Sequence, residues 1–411
     1  MWLVMWSGIQ GRRPAVVLPT STVIVQPSPF CNIDCDYCYL PARLDRTRMS
    51  MESVRSIVQF LFGVTEFAPV VDVAWHAGEP LVVPRSFYRA AFAEFARLSD
   101  RGVRCVHQFQ TNGTLITEAW CEFMREHTML IGLSIDGPAE LHDRHRKDRH
   151  GRGTFNRAMA GAKLLAKSGI EFSVTSVLSV DSLMRPDLVC EWIEECGITS
   201  IGFNVEEVEG AHLTSTLAGD DATALYRQFF STLYEFTKTH PEVRIREIVD
   251  SRNLLLRPTS CRFVNEENAL GSILNFDVNG RVSTFSPELL TIAPTSRYRS
   301  FTWAHVAEDD FSTFVERVTG SALYEDLAVG VAACARECEY FGLCGGGAPG
   351  NKFSELGTVT GTETMTCRLR VKTLMDVMAE ALEREGEQSH RHIRGRAPSR
   401  QQRVAEPHGR G

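Results

Sequence analysis

The stretch Phe30-Cys-Asn-Ile-Asp-Cys-Asp-Tyr-Cys-Tyr-Leu40 decides how this chain is interpreted. Its cysteines, Cys31, Cys35 and Cys38, are spaced so that one loop can wrap three thiolates around a [4Fe–4S] cluster, which needs four ligands. Three local cysteines leave one iron open, as a catalytic metal site keeps an open position. The alternatives are a structural zinc knuckle or three unrelated buried thiols, but zinc sites usually have a fourth Cys or His nearby and none follows within the loop.

Composition indicates an ordinary globular protein. The chain has 411 residues, of which 43% are hydrophobic and 23% charged, which is enough for two domains or for one domain with an appendage. The formal net charge of -7 gives no reason to expect nucleic acid or an anionic membrane as a partner. No apolar run approaches the roughly 20 residues that span a bilayer. We therefore expect a cytoplasmic protein without a nucleic-acid or membrane partner.

The chain contains 12 cysteines, which in a reducing cytosol indicate metal ligands or buried thiols rather than disulfides. Some of them fall inside helix or strand patterns, where a free cysteine behaves as a small core hydrophobe. The cysteines assigned to the core in this way are Cys105, Cys121, Cys190 and Cys196.

A second functional group of cysteines lies in the C-terminal half, around Gly345-Gly346-Gly347. Its members are Cys334, Cys338, Cys344 and Cys367. Four thiolates complete the ligand set of a [4Fe–4S] cluster, which can then store or relay an electron but has no open iron. Structural zinc is the competing interpretation of the same four residues.

Strand and helix patterns alternate from Thr22 to Thr239, which predicts parallel strands joined by right-handed crossovers. The Val- and Ile-rich strands suit a sheet buried on both faces. The predicted strands are Val23–Val25, Val70–Trp75, Val103–Gln110, Leu130–Ile135, Glu171–Leu178 and Ser200–Val205. The predicted helices are Met51–Phe62, Arg85–Leu98, Glu118–Glu126, Phe155–Ser168, Pro186–Glu195 and Asp221–Thr239.

The alternation stops after Pro241. Ile273–Phe276 and Val282–Phe285 predict a hairpin with Asn279-Gly280 at its turn, and a final helix is predicted over Leu369–Glu385. The expected organisation is an irregular arm at 1–21, an α/β core at 22–240, a small cysteine-rich domain at 241–385 and a disordered tail at 386–411.

Polar residues follow the predicted strands, at the edge where a parallel barrel carries its functional loops. The second strand ends in Trp75-His76-Ala77-Gly78-Glu79-Pro80, the third in Thr111-Asn112-Gly113 and the fourth in Ser134-Ile-Asp136-Gly137. Each segment alone also fits turn chemistry. Their recurrence at successive strand ends favours a shared ligand site.

The first cysteine motif, Cys-x3-Cys-x-Tyr-Cys, resembles the signature of radical S-adenosylmethionine (SAM) enzymes. The resemblance implies a partial (β/α)6 TIM-like barrel in which the open iron binds the amino and carboxylate groups of SAM. In that family the cluster cleaves SAM to methionine and a 5′-deoxyadenosyl radical, which abstracts a substrate hydrogen. The implied cofactors are a SAM-binding [4Fe–4S] cluster and SAM.

The resemblance also implies roles for single residues. The segment around Gly78 and Glu79 resembles a Gly-Gly-Glu-Pro motif that holds the SAM amino group, with Ala77 in place of the first glycine. Ser134 and Arg146 match the residues that grip the SAM carboxylate, a task for which a planar guanidinium is well shaped. The cofactor-binding residues expected on this basis are Tyr37, His76, Gly78, Glu79, Ser134, Asp136 and Arg146. A proton-carrying role for His76 is the alternative to hydrogen bonding near SAM.

The second cysteine group resembles a SPASM domain, the auxiliary-cluster module of peptide-modifying radical SAM enzymes. A full module holds two auxiliary clusters, but Phe285 and Ala348 stand where two ligands of the other cluster are expected. The resemblance therefore implies one auxiliary [4Fe–4S] cluster. Cys261 resembles the first ligand of the lost cluster, and is either an orphan core thiol or a remnant with a new role.

Two stretches, from Ile24 to Pro41 and from Cys344 to Cys367, resemble cyclophane-forming radical SAM/SPASM maturases of the GrrM/OscB type. The implied reaction joins an aromatic ring carbon to the β-carbon of a nearby residue in a ribosomally synthesised precursor peptide, with a flavodoxin- or ferredoxin-like electron donor. Glu288 and His76 are the candidate catalytic bases. Thioether-forming, epimerising and sulfatase-type maturases are enzymatic alternatives, and a zinc-binding scaffold is the non-enzymatic one.

Overall fold

The computed structural model describes residues 18–258 and 263–395, with side chains up to residue 386. Most of the predicted N-terminal arm, Cys261, and the predicted tail from residue 396 lie outside the described residues. The role of Cys261 therefore stays a prediction.

Twelve strands occur in the described part of the chain. They are β1 (Thr20–Val25), β2 (Ile33–Cys35), β3 (Phe67–Trp75), β4 (Arg104–Thr111), β5 (Leu130–Ser134), β6 (Arg146–Asp148), β7 (Ser173–Leu178), β8 (Ser200–Val205), β9 (Arg244–Ile245), β10 (Ile273–Phe276), β11 (Arg281–Thr284) and β12 (Ala304–His305).

Fourteen α-helices occur within the same residues. They are α1 (Met51–Phe62), α2 (Arg85–Ala96), α3 (Glu118–Glu126), α4 (Ala139–His145), α5 (Phe155–Lys167), α6 (Val180–Leu183), α7 (Pro186–Glu195), α8 (Ala222–Thr239), α9 (Arg246–Leu255), α10 (Phe311–Thr319), α11 (Ala322–Glu337), α12 (Phe341–Cys344), α13 (Pro349–Leu356) and α14 (Leu374–Gly395). None of these described helices is long and apolar enough to cross a membrane.

The strands β1, β3, β4, β5, β7 and β8 lie side by side and run parallel, each pair joined through helices. This order confirms the predicted α/β fold with six strand–helix units. Parallel pairing brings the carboxyl ends of all six strands to one edge, where ligands bind in folds of this class. The cysteine loop follows β1 and therefore lies at that edge.

Side-chain caps mark the starts of several helices. Ser50 caps α1, because its hydroxyl accepts a hydrogen bond of 2.9 Å from the backbone N–H of Ser53. Thr117 caps α3 in the same way by accepting from Trp120 N–H. The helices then bury apolar faces on the sheet, and Trp75 at the end of β3 packs edge-on against Tyr88 of α2 at 5.2 Å between ring centroids.

The hairpin of β10 and β11 extends the main sheet instead of forming a separate layer. β10 pairs parallel with β1, through Val23 with Leu274 and Val25 with Phe276. The hairpin is present, but its loop is longer than the two residues that Asn-Gly favours: a 3.0 Å hydrogen bond from Gly280 N–H to Asp277 C=O closes a four-residue turn. The sheet thus continues across the domain boundary expected at residue 240, because strand pairing joins segments that are distant in sequence.

Two local expectations differ from the structure. Cys196 is exposed rather than part of the core, because it ends α7 beside Gly197; Cys121 and Cys190 are buried and Cys105 is half-buried. The last helix runs through Gly395, beyond the Glu385 expected from sequence, and is preceded by a π-helical stretch over Cys367–Thr373.

Candidate active site

The cysteine loop is tied to a distant segment of the chain by a short antiparallel ladder. β2 pairs with β6, which places Cys35 opposite Arg146. The Arg149 guanidinium adds hydrogen bonds to the carbonyl oxygens of Cys31 (2.9 Å) and Arg43 (2.8 Å). The loop therefore has a defined shape, with several of its backbone carbonyl oxygens accepting hydrogen bonds from arginines.

The three thiols of this loop lie in a largely water-excluded place. Burial, with a smaller contribution from Glu79, raises the pKa of the Cys31 thiol to about 12, and burial likewise raises the pKa values of Cys35 and Cys38. A metal cluster would bind the thiolates and release their protons. Asn112 Nδ2 lies 3.7 Å from the Cys31 sulfur, in hydrogen-bonding range for sulfur.

Asp136 follows β5 and accepts most of the hydrogen bonds in the polar network next to the cysteine loop. Its carboxylate accepts two hydrogen bonds from the Arg146 fork, at 2.9 Å from Nε and 3.0 Å from Nη2, one of 2.9 Å from Val177 N–H and one from the Tyr37 hydroxyl. Although burial favours the neutral acid, the charge and hydrogen bonds of Arg146 lower the pKa of Asp136. The carboxylate is therefore ionised and fully satisfied.

The segment after β3 forms a second built feature. Glu79 is buried, and its carboxylate accepts hydrogen bonds from Leu81 N–H (2.9 Å), Thr111 Oγ1 (2.6 Å) and Asn112 N–H (2.8 Å). Burial raises the pKa of Glu79 to about 7, although these bonds oppose the shift. Gly78 has φ of 59°, and a Cβ there would stand 2.5 Å from the carbonyl oxygens of Ser28 and Phe30. Only glycine fits this close approach of two loops.

A cavity of about 1510 Å³ is lined by residues of β1, β3, β4, β5, β7 and β8 and of the neighbouring helices and loops. His76 lines it, together with Pro287, the neighbour of Glu288, and Gln110. Gln110 Nε2 donates a 2.8 Å hydrogen bond to the Ser134 hydroxyl, which leaves the hydroxyl proton free to donate elsewhere. Burial lowers the pKa of His76 to about 4, so its ring is neutral at pH 7.

The second cysteine group converges in space although its members are spread over α11, α12 and the π-helical stretch. Cys334, Cys338, Cys344 and Cys367 line one small enclosed cavity. Four thiols match the ligand count of a [4Fe–4S] cluster.

The comparisons with known proteins agree with this geometry. The family model of the Radical SAM superfamily matches residues 25–182, which include the cysteine loop, Glu79, Asp136 and Arg146. The chain belongs to the radical SAM superfamily. It is accordingly an enzyme with SAM and a [4Fe–4S] cluster as cofactors.

Similar proteins cover nearly the whole chain. An uncharacterized protein of Synechocystis sp. is 39% identical, over 89% of this chain and 92% of the relative. A serine-type anaerobic sulfatase-maturating enzyme of Bacteroides thetaiotaomicron is 27% identical, over 81% and 83% of the two chains. Among solved structures, native anSMEcpe with bound AdoMet and Cp18Cys peptide has a TM-score of 0.72 at 22% identity, over 90% of this chain and 99% of that one.

The structure pairs Asp136 with Arg146, two of the residues expected to contact SAM. Four donors fill the Asp136 carboxylate, and its contact with SAM stays a prediction. Arg146 donates hydrogen bonds from Nε and Nη2 to Asp136, and its Nη1 lies 3.9 Å from the Cys35 sulfur. Of its five N–H donors, two bond Asp136 and one points to sulfur, which leaves one on Nη1 and one on Nη2 for a carboxylate. The sequence indicated each residue but not their mutual pairing.

Ala77 occupies the first glycine position of the family motif with φ of 68°, a left-handed conformation that strains a residue carrying a Cβ. We expect Ala77→Gly to raise the free energy of unfolding by roughly 1 kcal/mol, because the strain is removed. Urea unfolding followed by tryptophan fluorescence measures this change.

The matched control is Ala90→Gly, in the interior of the exposed face of α2. Glycine in a helix interior costs roughly 0.5–1 kcal/mol, so the control should shift the unfolding midpoint in the opposite direction. A loss of stability in Ala77→Gly would mean that the strain inferred at Ala77 is absent.

The two positions where a second auxiliary cluster would find ligands are filled by apolar side chains. Phe285 is fully buried with φ of 76° and packs against Trp303 at 6.3 Å between ring centroids. Ala348 is buried and lines the cavity of the four cysteines. The described residues thus supply one auxiliary ligand set.

Several site residues were missed in the sequence because they carry no local pattern. Asn112 is predicted at a strand end without a partner, and Arg149 carries no sequence signal for the site, yet both touch the cysteine loop. Lys352 likewise carries no sequence signal of its own, but its ammonium lies beside Cys334. Each depends on a contact between segments far apart in the chain.

Proposed function

We propose that this chain is a radical SAM maturase that forms carbon–carbon cyclophane cross-links on aromatic residues of a ribosomally synthesised precursor peptide. The observation that carries the proposal is the single auxiliary ligand set, with Phe285 and Ala348 in the places of further ligands. A peptide substrate is supported by the peptide bound to anSMEcpe, which shares the fold.

Cys31, Cys35 and Cys38 are proposed to hold the SAM-binding cluster, whose chemistry with SAM supplies the 5′-deoxyadenosyl radical. Around it, the chain provides contacts for the SAM amino and carboxylate groups. Glu79 Oε2 accepts a single hydrogen bond from the described residues and keeps acceptor capacity for an ammonium group, which would favour the ionised form of this buried acid. Arg146 Nη1 and the Ser134 hydroxyl are the proposed donors to the carboxylate.

Cross-linking a β-carbon to an aromatic ring carbon removes two hydrogens from the peptide. One leaves as a hydrogen atom, and the other leaves as a proton and an electron when the ring regains its aromaticity. The proposed electron acceptor is a cluster held by Cys334, Cys338, Cys344 and Cys367. The proposed proton acceptor is Glu288, because burial raises its pKa to about 7, close to working pH, whereas His76 is a weak base.

A sulfatase-type maturase is the second candidate, favoured by the 27% identity to the Bacteroides thetaiotaomicron enzyme. Such a reaction also removes two hydrogens but leaves an aldehyde on the modified residue. Thioether formation and epimerisation differ again, since the first needs a precursor cysteine and the second leaves the mass unchanged in ordinary water.

The decisive experiment co-expresses the chain with a short precursor peptide encoded beside its gene and analyses the peptide by tandem mass spectrometry. Each cyclophane should lower the precursor mass by about two daltons, since two hydrogens leave and nothing is added. We expect the change to lie between an aromatic residue and a neighbour, in a peptide that does not react with hydrazines.

Two control variants belong to this experiment. Cys367→Ala removes one auxiliary ligand and should abolish the cross-link, whereas Cys196→Ala changes an exposed cysteine and should leave the yield unchanged. An aldehyde would identify the sulfatase-type reaction and a thioether would identify thioether formation. A gain of deuterium in deuterated water, with no loss of mass in ordinary water, would identify epimerisation. Each of these results would refute the cyclophane proposal.

A further inference from the structure

Lys352 of α13 is a buried cation in an unusual place. Its residue is only 2% exposed, and its ammonium donates a 3.5 Å hydrogen bond to the sulfur of Cys334. Within the described residues, no hydrogen bond or ion pair joins it to a carboxylate. Burying an ammonium without a compensating negative charge costs several kcal/mol, so a lysine here needs an anion nearby.

The cavity of the four cysteines supplies that anion once it holds a cluster. Lys352 lines this cavity together with the four thiols. A [4Fe–4S] cluster with four thiolate ligands is an anion, and it gains one more negative charge when it accepts an electron. A fixed positive charge in a low-dielectric site stabilises the reduced form more than the oxidised one, and hydrogen bonds to the sulfurs act in the same direction.

We propose that Lys352 sets the reduction potential of the auxiliary cluster, raising it so that the cluster accepts the electron released when the substrate ring regains its aromaticity. In this step the substrate radical loses one electron and one proton; the cluster is reduced by one electron and the proton passes to a base. The inference rests on the proposed function, which identifies the substrate radical as the source of this electron. The ammonium acts through the Cys334 thiolate and does not touch the peptide.

Lys372 provides a matched comparison within the same neighbourhood. It lies in the π-helical stretch that Cys367 begins, but its ammonium is paired with Glu363 and its side chain is 29% exposed. Its charge is thus neutralised by a carboxylate and screened by water. Burial and pairing, rather than proximity in sequence, distinguish the two lysines.

The test is a potentiometric titration of the anaerobically reconstituted full chain, followed by electron paramagnetic resonance. Cys31, Cys35 and Cys38 are replaced by alanine in every sample, so that only the auxiliary cluster contributes. Lys352→Met should favour the oxidised cluster by at least tenfold, which is a fall in midpoint potential of about 59 mV for one electron. Lys352→Arg should stay close to the parent potential because it keeps the charge. Lys372→Met should lower the potential by much less than Lys352→Met, because Lys372 interacts with Cys338 and Cys367 but is paired with Glu363 and partly exposed.

Iron content separates the possible failures. About four irons per chain with an unchanged potential in Lys352→Met would overturn the inference while leaving the proposed reaction intact. If Lys352→Met loses iron, the titration is repeated with Lys352→Gln, because glutamine keeps a hydrogen-bond donor but carries no charge. A midpoint potential in Lys352→Gln equal to that of the parent chain overturns the inference. The cyclophane proposal fails separately, through the mass of the precursor peptide.

Discussion

Replacing Cys31, Cys35 and Cys38 together by alanine is expected to lower the iron content from about eight to about four atoms per chain and to abolish SAM cleavage. The reason is that the three thiolates are the proposed ligands of the cluster that binds SAM, while the remaining four irons belong to the second site. Iron analysis after anaerobic reconstitution and quantification of 5′-deoxyadenosine measure the two effects independently.

Cys121→Ala and Cys190→Ala are the controls, since both remove buried cysteines that belong to neither proposed ligand set. They should keep about eight irons per chain and the parent rate of SAM cleavage. Stoichiometric zinc with little iron in the parent chain, or undiminished SAM cleavage without the three cysteines, would contradict the assignment.

Arg146→Met is expected to lower the free energy of unfolding by roughly 3–5 kcal/mol, because it leaves the ionised Asp136 buried without its partner. The pair is almost completely enclosed, with side-chain exposures of 9% for Arg146 and 2% for Asp136. Anaerobic urea unfolding measures the loss. Replacing both residues by Met and Leu should recover part of it, because no unpaired charge then remains.

Arg89→Met is the control for this prediction. Arg89 pairs with Glu126 on the surface, where the side chains are 48% and 51% exposed, and such pairs contribute roughly 0–1 kcal/mol. Equal losses in Arg89→Met and Arg146→Met would show that the Arg146–Asp136 pair is not buried as the structure places it.

Much of the fold was predictable because it depends on local periodicity. The helices Met51–Phe62, Glu118–Glu126 and Pro186–Glu195 and the strand Ser200–Val205 occur with the expected bounds, since caps and apolar spacing mark their ends. β2 and β6 were missed, because strands of three residues are too short to show a period of two. α4 was missed because its seven residues lie in a run of charged residues, which shows no apolar periodicity.

The candidate site was predictable in its residue types but not in its contacts. Cysteine spacing predicted one open and one complete ligand set, and the strand ends predicted Glu79, Ser134 and Asp136 near the first. Their spacing could not show that Asp136 accepts two hydrogen bonds from Arg146, since that depends on how β6 pairs with β2. The sequence alone determined the superfamily, the order of the α/β units and the cysteines that serve it, because motifs and periodicity are properties of neighbouring residues. Only the tertiary structure decided that β10 joins β1, that four cysteines from separate elements share one cavity, and that Lys352 is buried against them, because burial and charge pairing arise when distant segments pack together.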